Sequence, residues 1–174
     1  MPICPRCALL AVALAVLAFT GCDTNNPGRD LDLISGIYTI AEISFDPDAT
    51  ATEEADVTSQ LNAATTRLEI FGDDAEALLV TQLNGEGSRR TDLNVSASRG
   101  SATFEAVASD DEEELARLLL PARFSLQYVG ENPAVLEATF RQTVNLQAFD
   151  PDRYQSLTSV SGRLTVRLER RGVL

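Results

Sequence analysis

Histidine, lysine and tryptophan are missing from all 174 residues, and methionine occurs once. Without His and Lys the chain loses the commonest general base, the Schiff-base amine and the most frequent nitrogen ligand for zinc. Cysteine is scarce as well: Cys4, Cys7 and Cys22 are the three, and all lie in the first 22 residues. Cys4-Pro5-Arg6-Cys7 has the Cys-x-x-Cys spacing of a zinc knuckle or redox pair, but neither a second ligand pair nor a βαβ setting accompanies it. Positive charge is short, with 14 arginines against 26 acidic residues and a net charge of −12. Such a chain repels the phosphates of nucleic acid and the headgroups of anionic lipid, which argues against nucleic acid as a partner. The carboxylate pairs Asp46/Asp48, Asp73/Asp74 and Asp150/Asp152 sit beside Pro or Gly in turns, where solvated Asp is the normal resident. The run Asp110-Asp111-Glu112-Glu113-Glu114 lacks the alternating oxygen ligands and turn glycine of a calcium loop. Arg89-Arg90 reads as a solvated hairpin end rather than a grip on a carboxylate or phosphate. The expectation is a non-enzyme with no cofactor, metal or catalytic residue.

Long apolar runs are also rare, and the one present is informative. Ala8 to Phe19 is wholly apolar, but 12 residues are too few to span a bilayer, which needs roughly 20. Arg6 precedes the run, and Thr20-Gly21-Cys22 follows it with small residues ahead of a thiol. This arrangement resembles the bacterial lipoprotein signal, whose box places small residues before a cysteine that is acylated and becomes the new N-terminus; Phe19 stands where Leu is usual. The resemblance implies a signal peptide over residues 1–21, a lipid anchor on Cys22 and a place in the cell envelope, tethered to a bacterial membrane. Residues 22–32, polar and without apolar periodicity, are expected to form a flexible tether ahead of a single domain over 33–174. Removal of Arg6 leaves 13 arginines against the 26 acids, a net charge of −13. Abundant Asp and Glu without Lys fits a GC-rich genome or a halophilic, salt-adapted proteome, as well as a merely acidic protein.

From Leu33 onward, short runs rich in Val, Ile, Leu, Phe, Thr and Tyr alternate with clusters of Gly, Asn, Asp and Pro. They predict strands at about 34–45, 66–71, 75–83, 90–97, 102–107, 122–129, 135–146 and 160–170. Period-two alternation sorts their faces. Leu93, Val95 and Ala97 share one face of the fourth, Ala102, Phe104 and Ala106 one of the fifth, and Phe124, Leu126 and Tyr128 one of the sixth. In the seventh, Leu136, Ala138 and Phe140 oppose Val135, Glu137, Thr139 and Arg141, and either face could point inward. An antiparallel sheet with one apolar face must close on itself or fold into a sandwich, and sequential hairpins favour an up-and-down barrel. The expected fold class is thus all-β, a barrel of about eight strands. Ser109 and Glu112 form a capping box, with acids in the first turn and Pro121 beyond the end, which predicts one short helix over 110–120 between the fifth and sixth strands. Its Leu115, Leu118 and Leu119 should pack across an open end of the barrel. Between the first two strands, residues 46–65 carry Val57 and Leu61 at helical spacing and read as a lid or a mobile loop.

Gly36-Ile37-Tyr38 at the head of the first strand, the long first loop, the eight strands and the Arg-bearing last strand look like the lipocalin-like domains of bacterial lipoproteins. Lipocalins open with Gly-x-Trp, whose aromatic ring closes the barrel floor and stacks beneath an arginine near the chain's end. Tyr38 stands in for the Trp here, with Arg167 or Arg170 as candidate partner. The resemblance implies a small hydrophobic ligand inside the barrel, lined by Leu93, Val95, Phe104, Phe124, Leu126, Tyr128 and Phe140. The competing expectation is a filled barrel acting as a structural or interaction subunit toward another envelope protein.

Overall fold

Alternation does what the sequence pattern implies: apolar residues at every second position bury one face, and the sheet curls until that face is enclosed. The structure, a computed structural model, describes residues 27–129 and 133–172. The apolar leader, Cys22 and the first part of the tether lie outside the described residues.

The eight barrel strands are β1 Gly36–Pro47, β2 Arg67–Phe71, β3 Glu76–Thr81, β4 Arg89–Ser98, β5 Ser101–Ala106, β6 Arg123–Gln127, β7 Val135–Val144 and β8 Val160–Gly172. Each pairs antiparallel with the next, and β8 returns to β1 over the register Ile37–Gly172 to Pro47–Gly162, which closes an up-and-down barrel. This geometry is consistent with a lipocalin-like barrel. A register shift between Ile40 and Glu42 marks a bulge in β1, and it explains why Tyr38 before it and Ile43 and Phe45 after it all face inward despite their mixed parity. The closure is tight at Gly162, where an added Cβ would lie 2.6 Å from Phe45 Cζ and 2.9 Å from Pro47 Cα.

Both ends of the barrel are stoppered. At one end helix α1, Pro27–Ile34, buries Leu31 and Ile34 against the strands. The expected tether therefore gives way to a helix over its last residues. Burying these two side chains contributes about 1.5–3 kcal/mol each, which offsets the weak helix propensity of a Pro-Gly start. Tyr38 Oη donates to the Ile34 carbonyl at 2.8 Å, and the Arg170 guanidinium lies 5.7 Å from the Tyr38 ring centroid. Arg170 also donates to the carbonyls of Ser35 and Leu33, whereas Arg167 pairs outward with Glu137 and Glu169. At the opposite end, α2 (Ser109–Arg117) and the turn after it bury Leu115, Leu118, Leu119 and Leu120, joined there by Val57, Leu61, Leu146 and Tyr154.

Local details differ from expectation for physical reasons. The cap of α2 is Ala108 rather than Ser109, because the Asp111 carboxylate reaches both the Ala108 N–H at 3.0 Å and the Asp92 N–H of β4 at 2.9 Å. Helix α2 ends early, since Leu119 turns into the left-handed region at φ +60°. Residues 48–66 hold no α-helix: Ala55–Asp56 adds a two-residue strand to β1, and Thr58–Gln60 forms a 3₁₀ turn. The end of the seventh strand instead becomes α3, Leu146–Phe149, capped by Asn145 Oδ1 at 3.0 Å from the Ala148 N–H.

Candidate functional site

The barrel wall has one poorly zipped seam. Between β6 and β7 the ladder holds a single pair, Gln127–Glu137, whereas β7 pairs along its full length with its other neighbour, β8. Continuing the antiparallel register from Gln127–Glu137 would set Ser125 against Thr139, Phe124 against Phe140 and Arg123 against Arg141. Like charges directly opposite are destabilising, but the pair Arg141–Arg163 sits within the continuous β7–β8 ladder, so charge alone does not hold the seam open; two phenylalanines meeting on the crowded inner face add bulk as well. The arginines turn outward to separate carboxylates: Arg123 to Glu105 on β5 at 3.7 Å, and Arg141 to Asp48 in the long loop. The result is a window of about 680 Å³ bordered by Pro121, Arg123, Phe124, Ala138, Phe140 and Gln142, among others. Its far end is tied by Gln142, whose Nε2 donates to the Leu119 carbonyl at 3.0 Å.

Backbone geometry gives the window polar edges. Tyr128 N–H donates to the Gly100 carbonyl and Ala106 N–H to the Ala122 carbonyl, which aims the main-chain groups of even-numbered β6 residues at β5. Arg170 N–H donates to the Ala134 carbonyl, which aims even-numbered β7 residues at β8. The N–H and C=O groups of Arg123, Ser125, Thr139 and Arg141 therefore point into the window. The splayed seam between β1 and β2 shows the contrast, because there the long loop fills the gap: Val57 N–H donates to the Ile43 carbonyl at 3.0 Å, and Ile43 N–H donates to Thr58 Oγ1 at 2.6 Å.

The seven residues expected to line a ligand all lie on the barrel's inner side or near it, but they do not share one cavity. Leu93, Val95, Phe104 and Leu126 retain at most 4% of their surface and pack against one another in the core. Leu93 also borders a separate open pocket of about 410 Å³ with Phe71, Ala77, Arg90 and Val107, away from the window. Phe124 and Phe140 border the window, and Phe124 stacks on Phe104 at 5.3 Å between centroids, a contact worth about 0.5–1.5 kcal/mol beyond its buried area. Tyr128 is buried beyond the window, and its hydroxyl has no hydrogen-bond partner among the described residues. Burial, then the nearby Asp30 carboxylate, raises its pKa above the ordinary 10.0. In the seventh strand the inward set is Leu136, Ala138 and Phe140, with Ala138 and Phe140 half-buried where the seam opens. Cys22 lies outside the described residues.

Elsewhere the charged groups serve the scaffold. Arg89 and Arg117 alternate with Glu86 and Glu114 in a ring that joins the β3–β4 hairpin to α2, with Arg117 2.7 Å from Glu86 and Arg89 2.5 Å from Glu114. Hydrogen bonding from Arg117 holds the Glu86 pKa below its ordinary value. Arg153 anchors Glu53 at 2.7 Å, and Tyr154 Oη donates to the Glu54 carbonyl at 2.8 Å, which pins the long loop to the β7–β8 connection. No group of His, Cys, Asp and Glu suited to a metal occurs among the described residues, and none of their helices is long and apolar enough to cross a membrane. Compared with protein-family models, with curated proteins and with solved structures, the chain matches none of them.

Proposed function

We propose that the protein is a lipoprotein of the bacterial cell envelope, anchored through acylated Cys22, whose β-barrel binds a small hydrophobic ligand. The binding half of this reading is carried by the window, an opening of about 680 Å³ with Phe124 and Phe140 at its inner edge, in a barrel whose two ends are stoppered. That volume falls in the range of small-molecule sites. Phe124, Phe140 and Ala138 would touch the ligand first, with Phe104, Leu126, Leu93, Val95 and Tyr128 as the packed layer behind them.

The anchoring half rests on the leader and on Thr20-Gly21-Cys22. One acyl chain holds a protein to a membrane only marginally, so two or three chains are what stable attachment would require. The four residues from Asp23 to Asn26 span at most about 14 Å, which would keep the α1 end of the barrel close to the membrane. The test is native mass spectrometry and lipid extraction of protein purified from its own envelope, alongside fatty-acid labelling of the wild type and Cys22→Ser. The expected result is label on the wild type alone and one non-covalent apolar compound per chain. A wild type that takes no label removes the anchor.

A second reading is favoured by the enclosed core: a non-enzymatic structural or protein-interaction subunit with a filled barrel. It replaces the first if nothing co-purifies and no apolar probe binds below about 100 μM, an affinity of roughly −5.5 kcal/mol.

A further inference from the structure

We infer that the ligand of the window is an amphipathic anion, an oxyanion head held between Arg123 and Arg141 with an apolar tail against Phe124 and Phe140. The inference rests on the window being the binding site. It starts from an anomaly of charge: on a chain of net charge −12, two arginines flank the same opening from opposite strands. Their side chains are 67% and 70% exposed, and each meets one carboxylate. Glu105 stands 3.7 Å from Arg123 Nη1, beyond hydrogen-bond distance, and Asp48 engages Arg141 Nη2 alone. A guanidinium carries five N–H donors, so most donors of both groups are left for a third partner.

The main chain adds to this. The N–H groups of Arg123, Ser125, Thr139 and Arg141 face the opening, so an oxyanion placed there meets oriented backbone donors as well as two cations. An anion placed between the two arginines would offset their positive charge, to which Arg163, directly opposite Arg141 on β8, adds. A cationic head would add a further positive charge, and a neutral tail alone would leave that charge in place. The inner edge sets the other half of the ligand: Phe124, Phe140 and Ala138 offer apolar contact and no side-chain hydrogen-bonding group. The negative charge of the rest of the barrel opposes anion approach, but it is screened beyond about 8 Å at physiological salt, whereas the arginines act at contact.

The test pairs two probes of equal tail length, decanoate and 1-decanol, titrated by two-dimensional NMR into the domain carrying Cys22→Ser. Decanoate is expected to bind about ten-fold more tightly, as two partly exposed charge-assisted contacts supply. In Arg123→Gln/Arg141→Gln that ratio is expected to fall to about one. Both substitutions are at exposed side chains, and an unchanged spectrum away from the window shows that the fold is kept. Equal binding of the two probes by the wild type, or a ratio that survives the double substitution, overturns the anionic head while leaving the window as an apolar site. If neither probe binds, the window is not the binding site and the inference falls with it.

Discussion

Arg170 reaches over the ring of Tyr38, 5.7 Å from its centroid, and occupies the space that a side chain at position 36 would need. A Cβ on Gly36 would lie 2.9 Å from Arg170 Nε and 2.6 Å from the Gly172 carbonyl oxygen, at a backbone φ of +145°. Glycine at 36, the aromatic ring at 38 and the arginine at 170 therefore form one unit that joins the first strand, the last strand and α1. Gly36→Ala is expected to cost at least about 1–3 kcal/mol from backbone strain alone, with displacement of Arg170 in addition. Tyr38→Phe removes only the hydrogen bond to the Ile34 carbonyl and should cost about 1 kcal/mol. Urea unfolding of both variants checks the order; equal losses would show that the glycine's contacts are not what sets its identity.

Alkaline pH should unfold the barrel through its tyrosines. All three, Tyr38, Tyr128 and Tyr154, have pKa values raised above the ordinary 10.0, burial being the largest cause in each. The unfolded chain then loses these protons at lower pH than the folded one. Their contribution to stability is fully present below about pH 10 and is lost as pH rises through the folded-state values. Unfolding and the tyrosinate absorbance change should therefore rise together above pH 10, and Tyr38→Phe should weaken the pH dependence. Tyrosinate absorbance that develops fully while the fold stays intact would contradict this.

Hydrogen exchange should map the window amide by amide. Phe124 and Leu126 bond to β5, and Ala138 and Phe140 bond to β8, so their N–H groups should exchange slowly. Arg123, Ser125, Thr139 and Arg141 face the opening and should exchange orders of magnitude faster, as unbonded strand-edge amides do. Uniform slow exchange across all eight positions would mean that the seam is zipped in solution.

Much of this architecture is written in local alternation, and the site is not. The inward faces of β4, β5 and β6 follow from residues such as Leu93, Phe104 and Phe124, because a strand buried on one side has no other way to place them. Helix α2 is legible from its acidic first turn and from Leu115, Leu118 and Leu119, all of which are buried. Helix α1 is not, since Pro27-Gly28 is a poor start and only packing on the barrel makes Leu31 and Ile34 worth ordering. Val57 and Leu61 are spaced as on a helix and are indeed buried, but they reach the core from either side of a 3₁₀ turn. The window lies where a continued register would oppose Arg123 to Arg141 and Phe124 to Phe140. That opposition depends on register between two strands, and no single strand's sequence displays it.

Salt should stabilise the fold of residues 22–174, the part that the proposed cleavage would leave. At a net charge of −13 on residues 22–174, long-range repulsion weakens the folded state. Raising NaCl from about 0.1 M to 1 M shortens the screening length from roughly 10 Å to 3 Å. The same salt also weakens attraction, and the ion pairs among the described residues, such as Arg117–Glu86 and Arg153–Glu53, are partly exposed. Exposed pairs contribute about 0–1 kcal/mol each and act at contact, where screening removes only part of the attraction. Repulsion among carboxylates farther apart is removed almost entirely, so the balance favours the fold. A gain of about 1–2 kcal/mol, or roughly 3–6 °C in Tm, is expected for a domain of this size. Thermal melts of the Cys22→Ser domain across that NaCl range provide the measurement. A flat or falling Tm would show that contact ion pairs outweigh the net charge, and it would count against salt adaptation as the reason for the acidic composition.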